Sequence, residues 1–384
     1  MTQSEYLAAA HQVIRLVACA VRGKIPENGL PEGMDPEHVY QVAAFHHLAA
    51  AVGMALDSAG IQIDSFQKAV TAAQHRQIQM DQERAQVLSA LDDAGIRHMP
   101  LRGFAIRDLY PRCGMREMAD DDILVDETRM ADVRSLMENL GFAVESFGKA
   151  THDVYSRQPV SHFEMHRQLF SSLSSDRLAA YYAHVWDRLI PDEDCTCRYH
   201  FSDTDQYLYL TAHEYRHLSG NGTGLRSLLD IFVFLQHREP DWMQVALEAE
   251  HMGLTDFEWK NRELALRLFC GEPLEESQQA LYEQFLFAGT FGTLISGTTR
   301  TIEEKGRFRS FLSSLTLPYK TMQEIFPLLR RVPVLYPLCW AWRLCRAPFS
   351  PGSNRALPEV RSVIGIGTVR KKQAAHADRS PKRH

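Results

Sequence analysis

No run in this 384-residue chain is apolar for long enough to cross a bilayer, which takes about 20 consecutive residues in a helix. An excess of positive charge is missing as well. Lys and Arg number 42 against 48 Asp and Glu, a formal net charge of −6, so the whole-chain balance carries no strong nucleic-acid signal and a polyanion would need a local basic patch. Cysteine is sparse and unpatterned: Cys19, Cys113, Cys195, Cys197, Cys270, Cys339 and Cys345 form an odd, scattered set and no disulfide framework, from which we expect a reducing, cytoplasmic setting. The N-terminal segment has Glu5 early and is interrupted by His11, Gln12 and Arg15, unlike the continuous apolar stretch of a secretory signal. No internal repeat is evident. What is present is an ordinary globular composition, 45% hydrophobic and 23% charged, in a chain long enough for a substantial core divided into two or three parts.

The period of the apolar residues changes twice along the chain. Residues 6–21, 39–56 and 65–94 carry them at helical spacing, with a Pro- and Gly-rich loop at 24–36 and Asp35-Pro36 as N-cap and first helical residue. From Ile96 the text turns strand-like: an apolar run to Leu101, the pair Arg102-Gly103, a short helical stretch ending at Tyr110-Pro111, and a second apolar run opening with Asp120-Asp121-Asp122. A helix over 127–140 closed by Gly141, and strands at 142–146, 153–156 and 162–169, follow. Beyond Ser171 the helical period returns, is interrupted at 191–201, and resumes at 205–218, 225–235, 241–269 and 274–289. Past Leu317 short helices broken by Pro327, Pro333 and Pro337 are expected to pack on the helical core, with Trp340, Trp342, Arg343 and Arg346 offering a membrane surface as the alternative; the basic tail 370–384 has little apolar content. The predicted fold class is α+β: a small mixed sheet at 96–170 embedded between helical regions at 1–95 and 171–346, with a tail of no fixed structure at 347–384.

The candidate chemistry lies on the sheet. Alternate residues of a strand share a face, so Asp120 and Asp122 point one way and Asp121 the other. Two adjacent carboxylates repel unless a cation lies between them, and hard oxygen ligands suit Mg²⁺. Glu164, in the alternating stretch Phe163-Glu164-Met165-His166, is a third. Three carboxylates on neighbouring strands can hold two metal ions for an in-line phosphoryl displacement. A competing motif is His213-Glu214-Tyr215-Arg216-His217, which fits the zinc-hydrolase spacing of two His one turn apart with a Glu beside them; Thr223 occupies the position where some such enzymes place a third His, so no zinc site is expected there. Cys195-x-Cys197 with His200 is too closely spaced for a usual zinc knuckle. Arg226 and Asp230, four apart, are positioned to pair with each other.

The order Leu101-Arg102-Gly103, Leu109-Tyr110-Pro111, Arg116, Asp120-x-Asp122-Ile-Leu-Val125, Gly141-Phe142, Glu164-Met165-His166, and then His213, His217, Leu225-Arg226 and Asp230-Ile231, resembles the bacterial nucleotidyltransferase family proteins of the DNA polymerase beta-like superfamily. That resemblance implies a nucleotidyltransferase core at 96–170 and transfer of a nucleoside monophosphate from an NTP such as ATP to an acceptor hydroxyl or phosphate. Asp120, Asp122 and Glu164 would bind two Mg²⁺, and Arg102, Gly103 and Arg116 would hold the triphosphate. A binding or assembly factor with a lapsed site on the same fold is the alternative, and a zinc hydrolase the second. Two positions depart from the pattern: Arg102 where Lys is usual, and Asp121 where an apolar residue is usual. We expect Asp121, on the face opposite the metal, to have a basic or hydrogen-bonding partner or access to water.

Overall fold

The computed structural model describes residues 1–148, 151–159, 161–171, 175–220, 222–288 and 335–337, with the backbone alone at Arg102 and Ala288. Met1–Gly292 forms one compact unit, to which the following description applies, and Thr293–His384 a second. The Pro- and Trp-rich stretch, apart from residues 335–337, and the basic tail lie outside the described residues.

Helices α1 (Gln3–Val21), α2 (Pro36–Phe45), α3 (Ala49–Ser58) and α4 (Asp64–Asp93) come first. A capping box at Thr2 and Glu5 starts α1, and Asp35 caps α2 with Pro36 behind it, each satisfying backbone donors that a helix start leaves open. The single helix expected over 39–56 is two: the chain turns at His46-His47-Leu48, with His47 at φ +53°. Next are β1 (His98–Pro100), α5 (Arg102–Arg107), β2 (Asp121–Val125), α6 (Met130–Asn139), β3 (Ala143–Ser146), β4 (His152–Arg157) and β5 (Ser161–His166). After α7 (Asp176–Tyr181), the expected interruption at 191–201 proves to be a hairpin, β6 (Ile190–Asp192) and β7 (Cys195–His200). Its Cys, Thr, Arg and Tyr do not show the clean alternation of a half-buried strand, which is why pattern alone passes over it. Helices α8 (Asp203–Ser219), α9 (Leu225–His237), α10 (Trp242–Met252), α11 (Thr255–Cys270) and α12 (Glu276–Ala288) complete the unit. The stretch 241–269 is likewise divided, at Gly253 with φ +69°.

The strands form a seven-stranded mixed sheet in the order β3-β4-β5-β2-β1-β7-β6. β2 runs parallel to β5 and β1 parallel to β7, while the remaining neighbours are antiparallel. The α+β class is therefore the one expected, with a wider sheet. Two apolar cores separate its faces. On one, Val87 and Leu91 of α4 and Val133 and Met137 of α6 pack on Ile123, Val125, Phe163 and Met165. On the other, Met99 and Leu124 join a larger core built from α1 to α3 and α8 to α12. Large side chains such as Phe66, Phe232 and Phe269 are fully buried there, each contributing roughly 1.5–3 kcal/mol of transfer free energy. Helices from both ends of the chain thus clamp a sheet that neither could cover alone.

Candidate active site

Strand β2 divides the acidic triplet by its pleat. Asp120 lies just before the strand, Asp121 begins it, and Asp122 is paired in register with Glu164 of the parallel β5. Neighbouring strands are ~4.8 Å apart, so the register alone places the two carboxylates side by side. The antiparallel β4 then sets His152 opposite His166, and their rings lie 4.8 Å apart.

These four side chains meet at one point. His166 Nε2 is 3.1 Å from Asp122 Oδ1 and 3.5 Å from Glu164 Oε2, while His152 Nε2 is 3.3 Å from Glu164 Oε2. Burial lowers the His166 pKa, but its hydrogen bonds to Asp122 and Glu164 and the charges of those carboxylates outweigh that and lift it to about 9. An imidazolium is therefore held between two acidic oxygens at neutral pH. For His152 burial prevails and the pKa is lowered, with Glu164 opposing and smaller effects from His166, Asp122 and Arg216. The influence of Arg216 brings α8, the helix of the His-Glu-x-x-His motif, into electrical reach of the cluster.

The approach to β2 is held from several sides. Arg76 of α4 donates to the carbonyls of Met118 and Ala119 at 2.8 and 2.9 Å. Arg226 of α9 donates to the Glu117 carbonyl at 2.6 Å, and the Glu117 carboxylate accepts from the Ala50 amide at 3.0 Å. Gly114 adopts φ +78° with the α4 backbone against it, where a Cβ would come within 2.7 Å of the Gln74 nitrogen, so both conformation and space require glycine. Such a loop, fastened through its own carbonyls, sets the position from which Asp120 and Asp122 leave.

Arg116 is buried and grips Asp230 with a two-pronged pair, Nε to Oδ1 and Nη2 to Oδ2, both at 2.8 Å; Tyr110 Oη donates to the same carboxylate at 2.9 Å. Asp230 thus takes Arg116 as a bidentate partner, a residue that the four-residue spacing of Arg226 and Asp230 does not name. Burial pulls the Arg116 pKa down, but Asp230 more than compensates and it is raised overall; Asp120 acts in the same direction. The nearest atom to a Cβ built at Gly103 would be Met118 Cε at 2.6 Å, and Arg116 Nη1 would follow at 3.8 Å. Gly103, Arg116 and Asp120 are therefore neighbours. Arg102 opens α5 beside them, and its side chain lies outside the described residues.

Asp121 has the basic partner its position demands. It is 4% exposed and accepts from Arg84 Nη1 of α4 at 2.7 Å, and Arg84 also binds Asp81. Burial pushes the Asp121 carboxyl up to about 6 in spite of the Arg84 charge.

On α8, His213 and His217 bring their Nε2 atoms to 3.2 Å. Glu214, however, is buried and accepts from Asn261 Nδ2 at 2.5 Å, and Thr223 shares a hydrogen bond with Ser227. A zinc hydrolase needs that Glu at the metal. Among the described residues, the groups of three or more metal-capable side chains are His152-Glu164-His166 and Asp92-Cys195-Cys197, and neither includes the helix pair.

The structure brings Asp122 and Glu164 together and leaves Asp120 just before the strand; sequence reasoning gave no part to His152 or Arg84 and named His166 and Arg216 only within motifs. For His166 a signal existed: two residues after Glu164 in a strand, it must share that carboxylate's face. His152 and Arg84 carried none, because their places depend on strand register and helix docking.

A family model described as "Uncharacterised nucleotidyltransferase" matches residues 32–270. The chain belongs to this family. The match spans α2 to α4, the whole sheet and the helices through α11, so the family unit takes in much of the helical clamp as well as the strands that bear the carboxylates, with α1 and α12 outside it. No curated protein and no solved structure matches the chain.

Does this carboxylate cluster suit a divalent cation? Asp122 and Glu164 present oxygen donors to a common point, their Oδ1 and Oε2 lying 3.1 and 3.5 Å from the same nitrogen, His166 Nε2. Oxygen donors are what Mg²⁺ requires. The residues fit.

Proposed function

We propose that this chain is a Mg²⁺-dependent transferase with a polymerase beta-like core, moving a nucleoside monophosphate from an NTP to an acceptor hydroxyl or phosphate. The acceptor oxygen bonds to the α-phosphorus as the bond to the β-phosphate bridge breaks, and pyrophosphate leaves. The observation that carries this reading is the parallel register of β2 and β5, which sets Asp122 beside Glu164 with the His166 imidazole between them.

Asp120, Asp122 and Glu164 are the residues we assign to two metal ions, which when bound neutralise the triphosphate and lower the acceptor hydroxyl's pKa. Gly103 carries no side chain of its own against phosphate oxygens, the flexible end of Met118 being what must move aside there, and Arg102 is assigned to phosphate charge. Arg116 is assigned a positioning part, because Asp230 already meets its charge; it braces the segment running from Gly103 to Asp120. His166 orients Asp122 and Glu164 through one nitrogen, and Arg216 stands near enough to contribute positive charge at the mouth of the cluster. The cytoplasmic setting follows from the scattered, unpaired cysteines.

The test is to incubate the purified chain with each α-labelled NTP, Mg²⁺ and a cell extract, and to look for label transferred to a new product with release of pyrophosphate. Transfer that needs Mg²⁺ and is lost in Asp122→Asn supports the reading. Absence of transfer from every NTP, together with absence of Mg²⁺-dependent NTP binding by the pure protein, points to the lapsed-site alternative.

A further inference from the structure

The second group of metal-capable side chains shares no residue with the carboxylate site. It lies where the last turn of α4, strand β1 and strand β7 meet. Cys195 and Cys197 are two apart on β7, so the pleat turns their side chains the same way, and their Sγ atoms are 3.1 Å apart. Asp92, in the last turn of α4, places Oδ1 3.1 Å from Cys195 Sγ and 3.5 Å from Cys197 Sγ. Its other oxygen is taken by Arg198 of the same strand, which fixes the direction in which Oδ1 points.

His98 of β1 approaches the same oxygen. Its ring is fully buried, with Nδ1 2.9 Å from the Ile96 carbonyl and Nε2 3.6 Å from Asp92 Oδ1. A carbonyl only accepts, so the imidazole proton belongs on Nδ1 and Nε2 carries a lone pair. That nitrogen has no hydrogen-bond partner, an unfavourable state for a polar atom shut off from water. A backbone carbonyl on the far nitrogen of a buried imidazole is also the arrangement that orients metal-binding histidines.

We propose that Asp92, His98, Cys195 and Cys197 form a structural zinc site that ties the β6–β7 hairpin to the end of α4. Zinc bonds of about 2.3 Å to sulfur and 2.0–2.1 Å to nitrogen or oxygen place tetrahedral ligand atoms about 3.3–3.8 Å apart; Asp92 Oδ1 and the two Sγ atoms are already 3.1 to 3.5 Å from one another, and His98 Nε2, 3.6 Å from Asp92 Oδ1, completes the shell by swinging toward the sulfurs. Two thiolates, an imidazole and a carboxylate are a donor set that selects zinc over Mg²⁺ or Ca²⁺. Charge balances too: two thiolates and one carboxylate are offset by Zn²⁺ and Arg198. Binding releases the two thiol protons to solvent. All four positions would be filled by protein, as in a structural site, leaving none for substrate. The spacing of Cys195-x-Cys197 and His200 argued against a zinc knuckle in the sequence, and His200 indeed turns to the Phe201 carbonyl and Asp192; the partners come from α4 and β1 instead.

Metal analysis of the full chain, purified under reducing conditions without chelator or affinity-tag metal, should find about one zinc per chain. Asp122→Asn should keep that zinc, separating this site from the carboxylate one, whereas Cys197→Ser and His98→Gln should each lower zinc occupancy at least about tenfold. In case the variants fail to fold, Co²⁺ exchanged into the unaltered protein supplies a second reading: intense thiolate-to-cobalt absorption with tetrahedral visible bands supports the site. The proposal is overturned if the reduced protein neither retains zinc nor takes up Zn²⁺ or Co²⁺ when titrated. A mass two hydrogens short in the protein as isolated, mapping to a Cys195–Cys197 disulfide that persists in place of metal, overturns it equally.

Discussion

Asp121 and Asp122 are adjacent and chemically identical, yet strand β2 sends them into opposite surroundings. Asp121 enters the face covered by α4 and α6, where it is 4% exposed and meets Arg84. Asp122 enters the other face, at an end that the larger core leaves partly open, where it is 24% exposed beside Glu164 and His166. On the covered face the compensating charge comes from a fixed Arg, and the pair fastens α4 to the sheet. On the open face the partner is an imidazole, a group that can give up its proton. Burial and partner type, rather than residue type, separate a structural carboxylate from one available for chemistry.

The largest effect should follow from attacking the open face. Asp122→Asn is expected to lower Mg²⁺-dependent transfer by at least about 10³-fold, a loss of about 4 kcal/mol of transition-state stabilisation, with the melting temperature nearly unchanged. Steady-state turnover and a thermal melt on the same preparation check this. Undiminished turnover in Asp122→Asn removes that carboxylate from the mechanism.

On the covered face the loss should appear in stability. Arg84→Met leaves Asp121 buried without its cation and should cost about 3–5 kcal/mol, the usual penalty for removing one member of a buried pair, read from urea unfolding. Asp121→Asn should cost less, since Asp81 still holds Arg84 and the amide retains an acceptor. Turnover per folded molecule should survive both changes. If Asp121→Asn instead abolishes turnover at full stability, the two faces have been assigned the wrong way round.

His166→Gln sharpens the contrast, because it removes the exchangeable partner while keeping both carboxylates. The Mg²⁺ concentration for half-maximal turnover should rise about 10–100-fold, as when an orienting group next to metal ligands is lost, with little change in the urea midpoint. An unaltered metal requirement would show that His166 neither orients nor charges the site.

His46 extends the comparison to burial without an ionic partner. It is fully buried between the helical layers, accepting from the Leu225 amide at 3.3 Å and lying 3.3 Å from Tyr6 Oη. Burial depresses its pKa to about 3. A histidine whose folded pKa lies below its unfolded value of about 6.5 contributes stability that is present above that value and lost as pH falls toward the folded one. Unfolding free energy should therefore decline between pH 6.5 and 3, with a slope reduced by up to one proton in His46→Gln. Equal slopes in the two proteins would show that His46 does not resist protonation.

Much of this was open to reading before any coordinates. The switch from helical to alternating period located the sheet at Ile96, capping chemistry located Asp35-Pro36, and pleat geometry separated Asp121 from Asp122 and required a partner for the former. Local stereochemistry acts over a few residues, so the sequence carries it directly. The bend at His47, the division of α10 from α11 and the β6–β7 hairpin were not legible, since short elements with mixed patterns are decided by what packs on them.

The sequence by itself determined that Asp121 and Asp122 take opposite faces of a strand and that Glu164 waits on a later one. Only the tertiary structure decided what stands between them and around them. His152 reaches Glu164 through the register of β4 on β5, Arg84 reaches Asp121 through the docking of α4, and Asp92, His98 and the two cysteines meet across elements separated by some hundred residues. Such contacts belong to no local pattern: they arise when two apolar cores close on opposite faces of one sheet, and the polar groups carried along must find partners where burial leaves them.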